Sequence, residues 1–268
     1  MILEIEYKTS YHFSYEVPML IQQIKLYPTE CKNQKIIKWS INSLEGELSE
    51  PFTDALGHKI HNIYINNAPR AQVISAKGVI ETKNYFGVMD GLSEKVHPHC
   101  FLRQTDLTMP NKRITNLVKT KSKHKPDSIN FCHQLNAAVG DSIIYESGST
   151  SIETKATEAI SIGNGVCQDF AHILIGLARH HSYPARYING FSAHETNGAN
   201  ETHAWVEIYI KDLGWVAFDP SKKTCIDEKY VRVGCGFDFN DASMIKGVKC
   251  NFNGQESLGK DLRITLQQ

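Results

Sequence analysis

The chain has no hydrophobic run near the roughly 20 residues that a membrane-spanning helix needs. It also has no net charge, because 29 lysines and arginines are matched by 29 aspartates and glutamates. The first absence argues against membrane embedding, and the second removes the electrostatic footprint of a nucleic-acid or anionic-membrane binder. No Cys-x-x-Cys pair occurs, and the seven cysteines, at 31, 100, 132, 167, 225, 235 and 250, are odd in number and irregular in spacing. That pattern fits neither a disulfide framework nor a zinc ribbon. In a reducing compartment most would pack as small hydrophobes. The Asp-x-Asp-x-Asp-Gly loop of a calcium site is missing, and Gly163-Asn164-Gly165 lacks the lysine and spacing of a phosphate loop. His97-Pro98-His99-Cys100 is too compact for three donors to converge tetrahedrally on zinc. No cofactor or metal is expected. The opening Met1-Ile2-Leu3-Glu4-Ile5-Glu6-Tyr7-Lys8 breaks its apolar residues with charge, unlike a secretion leader, so a cytoplasmic location is expected.

At 268 residues the chain is long enough for one large domain or two smaller ones with a sizeable core. Its first hundred residues read as strands. Leu3, Ile5 and Tyr7 alternate with Glu4, Glu6 and Lys8, and Ile37, Trp39 and Ile41 with Lys38, Ser40 and Asn42, the period of half-buried antiparallel strands. Asp54-Ala55-Leu56-Gly57 is a turn before an apolar run at 60–65, and a further strand is expected at 73–82. From Pro110 the pattern becomes helical. Ile114, Leu117 and Val118 mark a short basic helix, with 119–125 as its solvated end. Asp127-Ser128 can cap a second helix with Ile129, Cys132, Leu135 and Val139 on one face, and Thr154 a third. The clearest helix spans 165–181, with Phe170, Ile173, Leu174 and Leu177 as its apolar stripe. Strands return at 185–191, 202–210 and 215–218, with short candidates in the tail at 230–233 and 262–266. The expectation is an α+β protein: an all-β N-terminal domain over residues 1–105, without catalytic groups, and a second domain over 106–268 whose helices pack on an antiparallel sheet closed by the C-terminal strands.

Three segments carry chemistry. In Gly163-Asn164-Gly165-Val166-Cys167-Gln168-Asp169-Phe170, a glycine turn puts Cys167 in the first turn of a helix. Unpaired amides and the helix dipole there favour an anion such as a thiolate. The same residues also suit a buried structural cysteine. Thr202-His203-Ala204-Trp205-Val206-Glu207 and Gly214-Trp215-Val216-Ala217-Phe218-Asp219-Pro220 hold a histidine and an aspartate on consecutive strands. A cysteine nucleophile needs a base, and the base needs an orienting group. Taken singly, His203 could be a satisfied strand histidine and Asp219 a turn residue. Hairpin register separates these alternatives. If residue 210 pairs with 215, then 219 pairs with 206 and Asp219 points away from His203. A loop one residue longer or shorter pairs 219 with 205 or 207 and brings the two to one face. A Cys–His–Asp site therefore requires an odd-length loop or a bulge between Ile210 and Trp215.

Gly165-Val166-Cys167-Gln168-Asp169-Phe170-Ala171-His172, Pro184-Ala185-Arg186-Tyr187, and the two strand motifs resemble, in order, those of bacterial members of the transglutaminase-like superfamily, a group of papain-related cysteine enzymes. The Tyr11-x-Phe13-x-Tyr15 region and Asp54-Ala55-Leu56-Gly57 are similar to the bacterial transglutaminase-like N-terminal domain, so the resemblance covers nearly the whole chain. It implies a papain/transglutaminase-like core in which Cys167 is the nucleophile, His203 the base and Asp219 the orienter. The Cys167 N–H and an upstream donor would form the oxyanion hole. Tyr145 sits where the family keeps an aromatic, and is a candidate for that donor or for packing. Gln168 and Asp169 would shape the site. His172 matches the motif but lies about 140° around an ideal helix from Cys167, so it is not a direct partner.

The expected chemistry is acyl transfer through a thioester on a peptide or protein substrate. Water as acceptor makes a cysteine peptidase or amidase, which is favoured because no motif reports an amine tunnel. An amine acceptor makes a transglutaminase. A non-catalytic binding module on the same fold is the alternative from another class, although all three triad residues are retained.

Overall fold

The strand at the N-terminus follows directly from its alternation. In β1 (Ile2–Phe13), Leu3, Ile5 and Tyr7 are buried while Glu4, Glu6 and Lys8 face the other side. The computed structural model describes residues 1–119, 128–196 and 199–267. After β1 come β2 (Val17–Ile24), β3 (Gln34–Ser43), β4 (Phe52–Thr53), β5 (Lys59–Ala68), β6 (Ala71–Thr82) and β7 (Val88–Met89). The expected turn joins β4 to β5. There the Asp54 carboxylate accepts the backbone N–H groups of Leu56 and His58, both at 2.9 Å.

A 3₁₀ turn at Pro98–Leu102 leads to α1 (Lys112–Thr115), α2 (Ile129–Gly140), β8 (Ile144–Tyr145), α3 (Ala156–Ile162), β9 (Asn164–Gly165) and α4 (Cys167–His180). The Ser128 hydroxyl caps α2 by accepting the Phe131 N–H. Asp127 and positions 120–125 of the basic stretch lie outside the described residues. Thr154 does not cap α3. Its hydroxyl accepts the Ser151 N–H at 2.9 Å, and the capping position before the helix is Lys155, whose N–H is accepted by Glu158 at 2.8 Å. The stripe expected on α4 is buried, but so is every residue from Gln168 to Arg179. One side of α4 packs on the sheet and the others are covered by α2, α3 and the chain before α1. Arg179, for example, donates to Thr108 Oγ1 and to the carbonyls of Ala185 and Phe237.

The chain continues through β10 (Ala185–Thr196), β11 (Ala199–Ile210), β12 (Gly214–Asp219), β13 (Thr224–Cys225), β14 (Tyr230–Gly236), α5 (Phe239–Ala242), β15 (Ile245–Cys250) and β16 (Glu256–Gln267). The central sheet runs β13-β12-β11-β10-β14, antiparallel, and buries Ala204, Val206, Ile208 and Phe218 against Leu174 and Leu177 of α4. No helix among the described residues is long and apolar enough to cross a membrane.

The tail corrects the expected partition. Two further antiparallel sheets, β16-β1-β6-β3 and β15-β2-β5-β4, face each other across Leu3, Ile5, Ile24, Ile63 and Ile74. The outer strand of each comes from the C-terminus, not from the first hundred residues. β16 pairs along the whole of β1, from Ile2↔Gln267 to Phe13↔Glu256. In return β7 joins the central sheet through Trp215↔Met89. The reason is edge satisfaction: β1 and β2 would otherwise expose unpaired N–H and C=O groups, and the returning tail covers both.

A buried charge cluster fastens the N-terminal strands to the central sheet. Glu207 is fully buried, and its carboxylate accepts Arg186 Nε at 2.6 Å and Arg232 Nε at 2.8 Å. Arg186 also pairs with Glu94, which accepts the Trp215 indole N–H at 2.7 Å. Arg232 reaches Thr29 Oγ1 at 2.7 Å, and its backbone N–H donates to the Gln34 side chain at 2.8 Å. Removing one member leaves buried guanidinium charge uncompensated. Glu207→Gln should therefore cost about 3–5 kcal/mol of stability, read from the denaturant midpoint at unchanged m. A loss below about 1 kcal/mol would show that the cluster is not what joins the two halves.

Candidate active site

Cys167 is the first residue of α4 and is half-buried. Its position is set by Asp169, in the first turn of the helix, whose Oδ2 accepts the Val166 N–H at 2.8 Å and the Thr150 hydroxyl at 2.6 Å. Gly165 makes that approach possible, since a Cβ there would lie 2.8 Å from the Asp169 Cβ. Burial raises the Asp169 pKa, and its hydrogen bonds hold it down only in part. Asp169 thus acts as a cap that fixes the turn before the cysteine. The N–H groups of this first turn, that of Cys167 among them, point out of the helix end.

His203 and Asp219 are brought together by the hairpin. Ile210 pairs with Gly214 and Val206 with Phe218, so residues 211–213 form a three-residue loop. Asp212 and Gly214 take φ of 66° and 81° there. The odd loop extends the register to place residue 219 opposite 205, on the face that carries His203. His203 Nε2 lies 2.7 Å from Asp219 Oδ2, which leaves Nδ1 as the ring nitrogen for another partner. Asp219 is fully buried and saturated. Its Oδ1 accepts the Ser221 N–H at 3.0 Å and hydroxyl at 2.7 Å, and its Oδ2 accepts the Tyr230 hydroxyl at 2.8 Å. Burial would raise its pKa, but the hydrogen bond and charge of His203, with the Ser221 and Tyr230 hydroxyls, bring it down to about 2. For His203, burial works against the cation, whereas the charge of Cys167 and then the hydrogen bonds to Asp219 and Cys167 overcome it, raising the pKa to about 10. An imidazolium at neutral pH, between the Cys167 sulfur and a carboxylate, is the electrostatic state this arrangement favours.

Comparison with known proteins identifies the family of each region. Residues 115–220 match the transglutaminase-like superfamily model, and residues 3–81 match the bacterial transglutaminase-like N-terminal region. The chain carries a transglutaminase-like core behind a bacterial transglutaminase-like N-terminal region. Protein ML0607 of Mycobacterium leprae is 23% identical over 268 aligned residues, covering 92% of both chains. Rv2569c of Mycobacterium tuberculosis is 32% identical over 115 residues, covering 39% of this chain and 37% of its own. Among solved structures, a candidate cysteine protease of Cytophaga hutchinsonii superposes with a TM-score of 0.78 at 20% identity, over 99% of this chain and 90% of that one. At that identity the likeness shows the fold.

Within the transglutaminase-like core, the other residues singled out from sequence separate by role. Tyr145 runs beside Gly165 in the short β8–β9 pairing, and its exposed ring stacks on Phe170 at 6.4 Å. Gln168 is not aimed at Cys167. Its amide donates to the Ile152 carbonyl at 3.2 Å and ties down the loop before α3. His172 is buried and stays neutral, with burial and Arg179 lowering its pKa to about 3, and its Nε2 accepts the Phe239 N–H at 3.2 Å. His97 and His99 stack on each other at 4.9 Å outside the core. Sequence reasoning missed Tyr230 and Ser221. Ser221 had a local signal, the Asp-Pro-Ser turn, in which an aspartate accepts the N–H two residues on. Tyr230 had none, because it reaches Asp219 from β14 only in the folded sheet.

The charge of Cys167 is the largest upward influence on His203. In an NMR titration of the ring, His203 should therefore remain protonated above pH 8, and Cys167→Ala should lower its pKa by about one unit or more. Being raised, the folded-state pKa gives a stabilising contribution that is present below about 6.5 and fades as pH climbs toward about 10. A His203 titration near 6.5 in the intact protein would contradict an imidazolium held beside the Cys167 sulfur.

Proposed function

We propose that the protein is a cysteine peptidase or amidase that forms a thioester acyl-enzyme through Cys167, His203 and Asp219. The observation that carries this is the 2.7 Å contact between His203 and Asp219 on the same imidazole whose pKa the Cys167 charge raises. In the forward step the Cys167 sulfur attacks the amide carbonyl carbon. The oxyanion that forms is received by the Cys167 N–H and an upstream donor, for which Tyr145 is the candidate. His203 then gives its Nδ1 proton to the departing amine as the C–N bond breaks, leaving a thioester and a neutral ring. That ring takes a proton from water, the resulting hydroxide attacks the thioester, and the C–S bond breaks to release the acid and restore the thiolate. Asp219 keeps the ring in the orientation that points Nδ1 at sulfur. Saturation by Ser221 and Tyr230 supports a role as a fixed anion, not as a proton carrier.

Selective labelling tests the pair. Cys235 also has cations beside it. Burial would raise the Cys235 pKa, but Arg232, Arg186 and His58 bring it down to about 7. Cys235 is fully buried, however, and Cys100 is the exposed competitor. Sub-stoichiometric iodoacetamide near pH 6 should modify Cys167 first in the native protein and reach Cys235 only after denaturation. His203→Ala should slow Cys167 labelling at least about tenfold, and Asp219→Ala by less. Indifference of Cys167 to loss of His203 would sink the acyl-transfer reading. In a peptide-library assay, Cys167→Ser should abolish release of free acids. Products carrying an added amine in place of water would assign amine transfer instead.

A further inference from the structure

Natural sheets keep their open edges short, bulged, charged or covered. Five outer strands of the three main sheets follow that rule. β4 and β13 are two residues long, β14 is buried throughout, and β15 has six residues of which two are lysines. β3 breaks its register with a bulge between Ile36 and Lys38. β16 differs from all of them. It runs for twelve residues without a proline, and its register along β1 has no break. Its other edge pairs with no strand among the described residues, and ten of its twelve residues are exposed. A long, regular and open edge is a template for one more strand.

The side chains of β16 select the strand that fits. On the outer face of its sheet, Asp261 stands opposite Lys8 and Arg263 opposite Glu6, which in turn pairs with Lys77 on β6. These neighbours account for one side of each charge and leave the open side without a strand. A second β16 laid antiparallel to the first, with the two-fold axis at Leu262, sets position 261 opposite position 263 twice. Across the joint one row then reads Lys8, Asp261, the partner's Arg263, the partner's Glu6 and the partner's Lys77, and the sign alternates at every step. On the inner face Leu262 meets its own copy. Leu258 and Leu266, 49% and 53% exposed in the single chain, meet each other. An axis at Asp261 or at Arg263 would set like charges face to face, and a slip of one residue would turn the apolar row outward. A lysine turned inward on an edge strand discourages indiscriminate pairing. In this register Lys260 falls opposite the partner's Ile264, where its stem covers the side chain and its ammonium stays in solvent. We propose that β16 is a homodimer interface: two copies pair β16 antiparallel about Leu262 and join their four-stranded sheets into one continuous sheet.

Sedimentation equilibrium of the full chain tests it. The wild type should pass from monomer to dimer with a Kd on the order of 10 μM, as suits a small interface. Amide exchange over residues 256–267 should slow as the concentration rises through that range. Asp261→Arg and Arg263→Asp should each weaken association by at least about tenfold, because two symmetric pairs change from attraction to repulsion. An equimolar mixture of the two variants should associate at least about threefold more tightly than either alone, since each strand then faces its opposite in charge. That recovery cannot come from a variant that has failed to fold. A wild type that stays monomeric up to about 200 μM overturns the proposal. A wild-type dimer with unchanged exchange over residues 256–267 also overturns it, whatever the variants do, because it uses another surface. So does a dimer indifferent to both charge reversals.

Discussion

A three-residue loop between β11 and β12 puts the Asp219 carboxylate on the same side of the sheet as His203, and the site depends on that parity. One residue more would rotate every side chain of β12 to the opposite face, because strand side chains repeat every two residues. A carboxylate would then enter the apolar layer against α4, and Val216 and Phe218 would be expelled from it. The same alternation distributes β11. Ala204, Val206 and Ile208 pack toward α4, while Trp205 lies on the side of His203 and Glu207. Hairpin register thus fixes the hydrophobic layer and the polar site in one step, and neither can be shifted without losing the other.

Two fully buried carboxylates lie close together in this part of the fold, and each is held by saturation. Asp219 accepts from His203, Tyr230, both donors of Ser221 and the Lys222 N–H. Glu207 is shared between two guanidiniums. A buried carboxylate with fewer partners would take up a proton, whereas these environments lower both pKa values. Their duties differ. Asp219 holds the His203 ring, and Glu207 fastens Arg186 to Arg232, which in turn reaches Thr29 and Gln34 of the N-terminal region.

The path of the chain gives the N-terminal region more than an adjacent position. Its two sheets are closed by β15 and β16, which arrive only after the central sheet is complete. β16 also packs against β11, the strand of His203. A strand from the far end of the sequence therefore packs beside the strand that carries His203.

By itself the sequence determined the local features. The period of two in β1, the glycine turn that starts α4 at Cys167, and the Asp54 turn all depend on neighbours within a few residues. Their geometry is written in φ/ψ preference and hydrophobic alternation. It also stated the condition for a triad, an odd loop, without being able to say that the loop had three residues, since strand ends are set by pairing partners. The tertiary structure alone decided that the tail would serve the N-terminal sheets, because both tail and edge were amphipathic strands with several open edges to choose from. It decided that Tyr230 would complete Asp219 and that Arg232, Arg186 and His58 would surround Cys235, contacts between groups that only the folded sheet brings within reach. It also decided that Gln168 would hold a loop instead of facing substrate. A side-chain amide in the first turn of a helix has no intrinsic direction until the surrounding chain offers it a carbonyl.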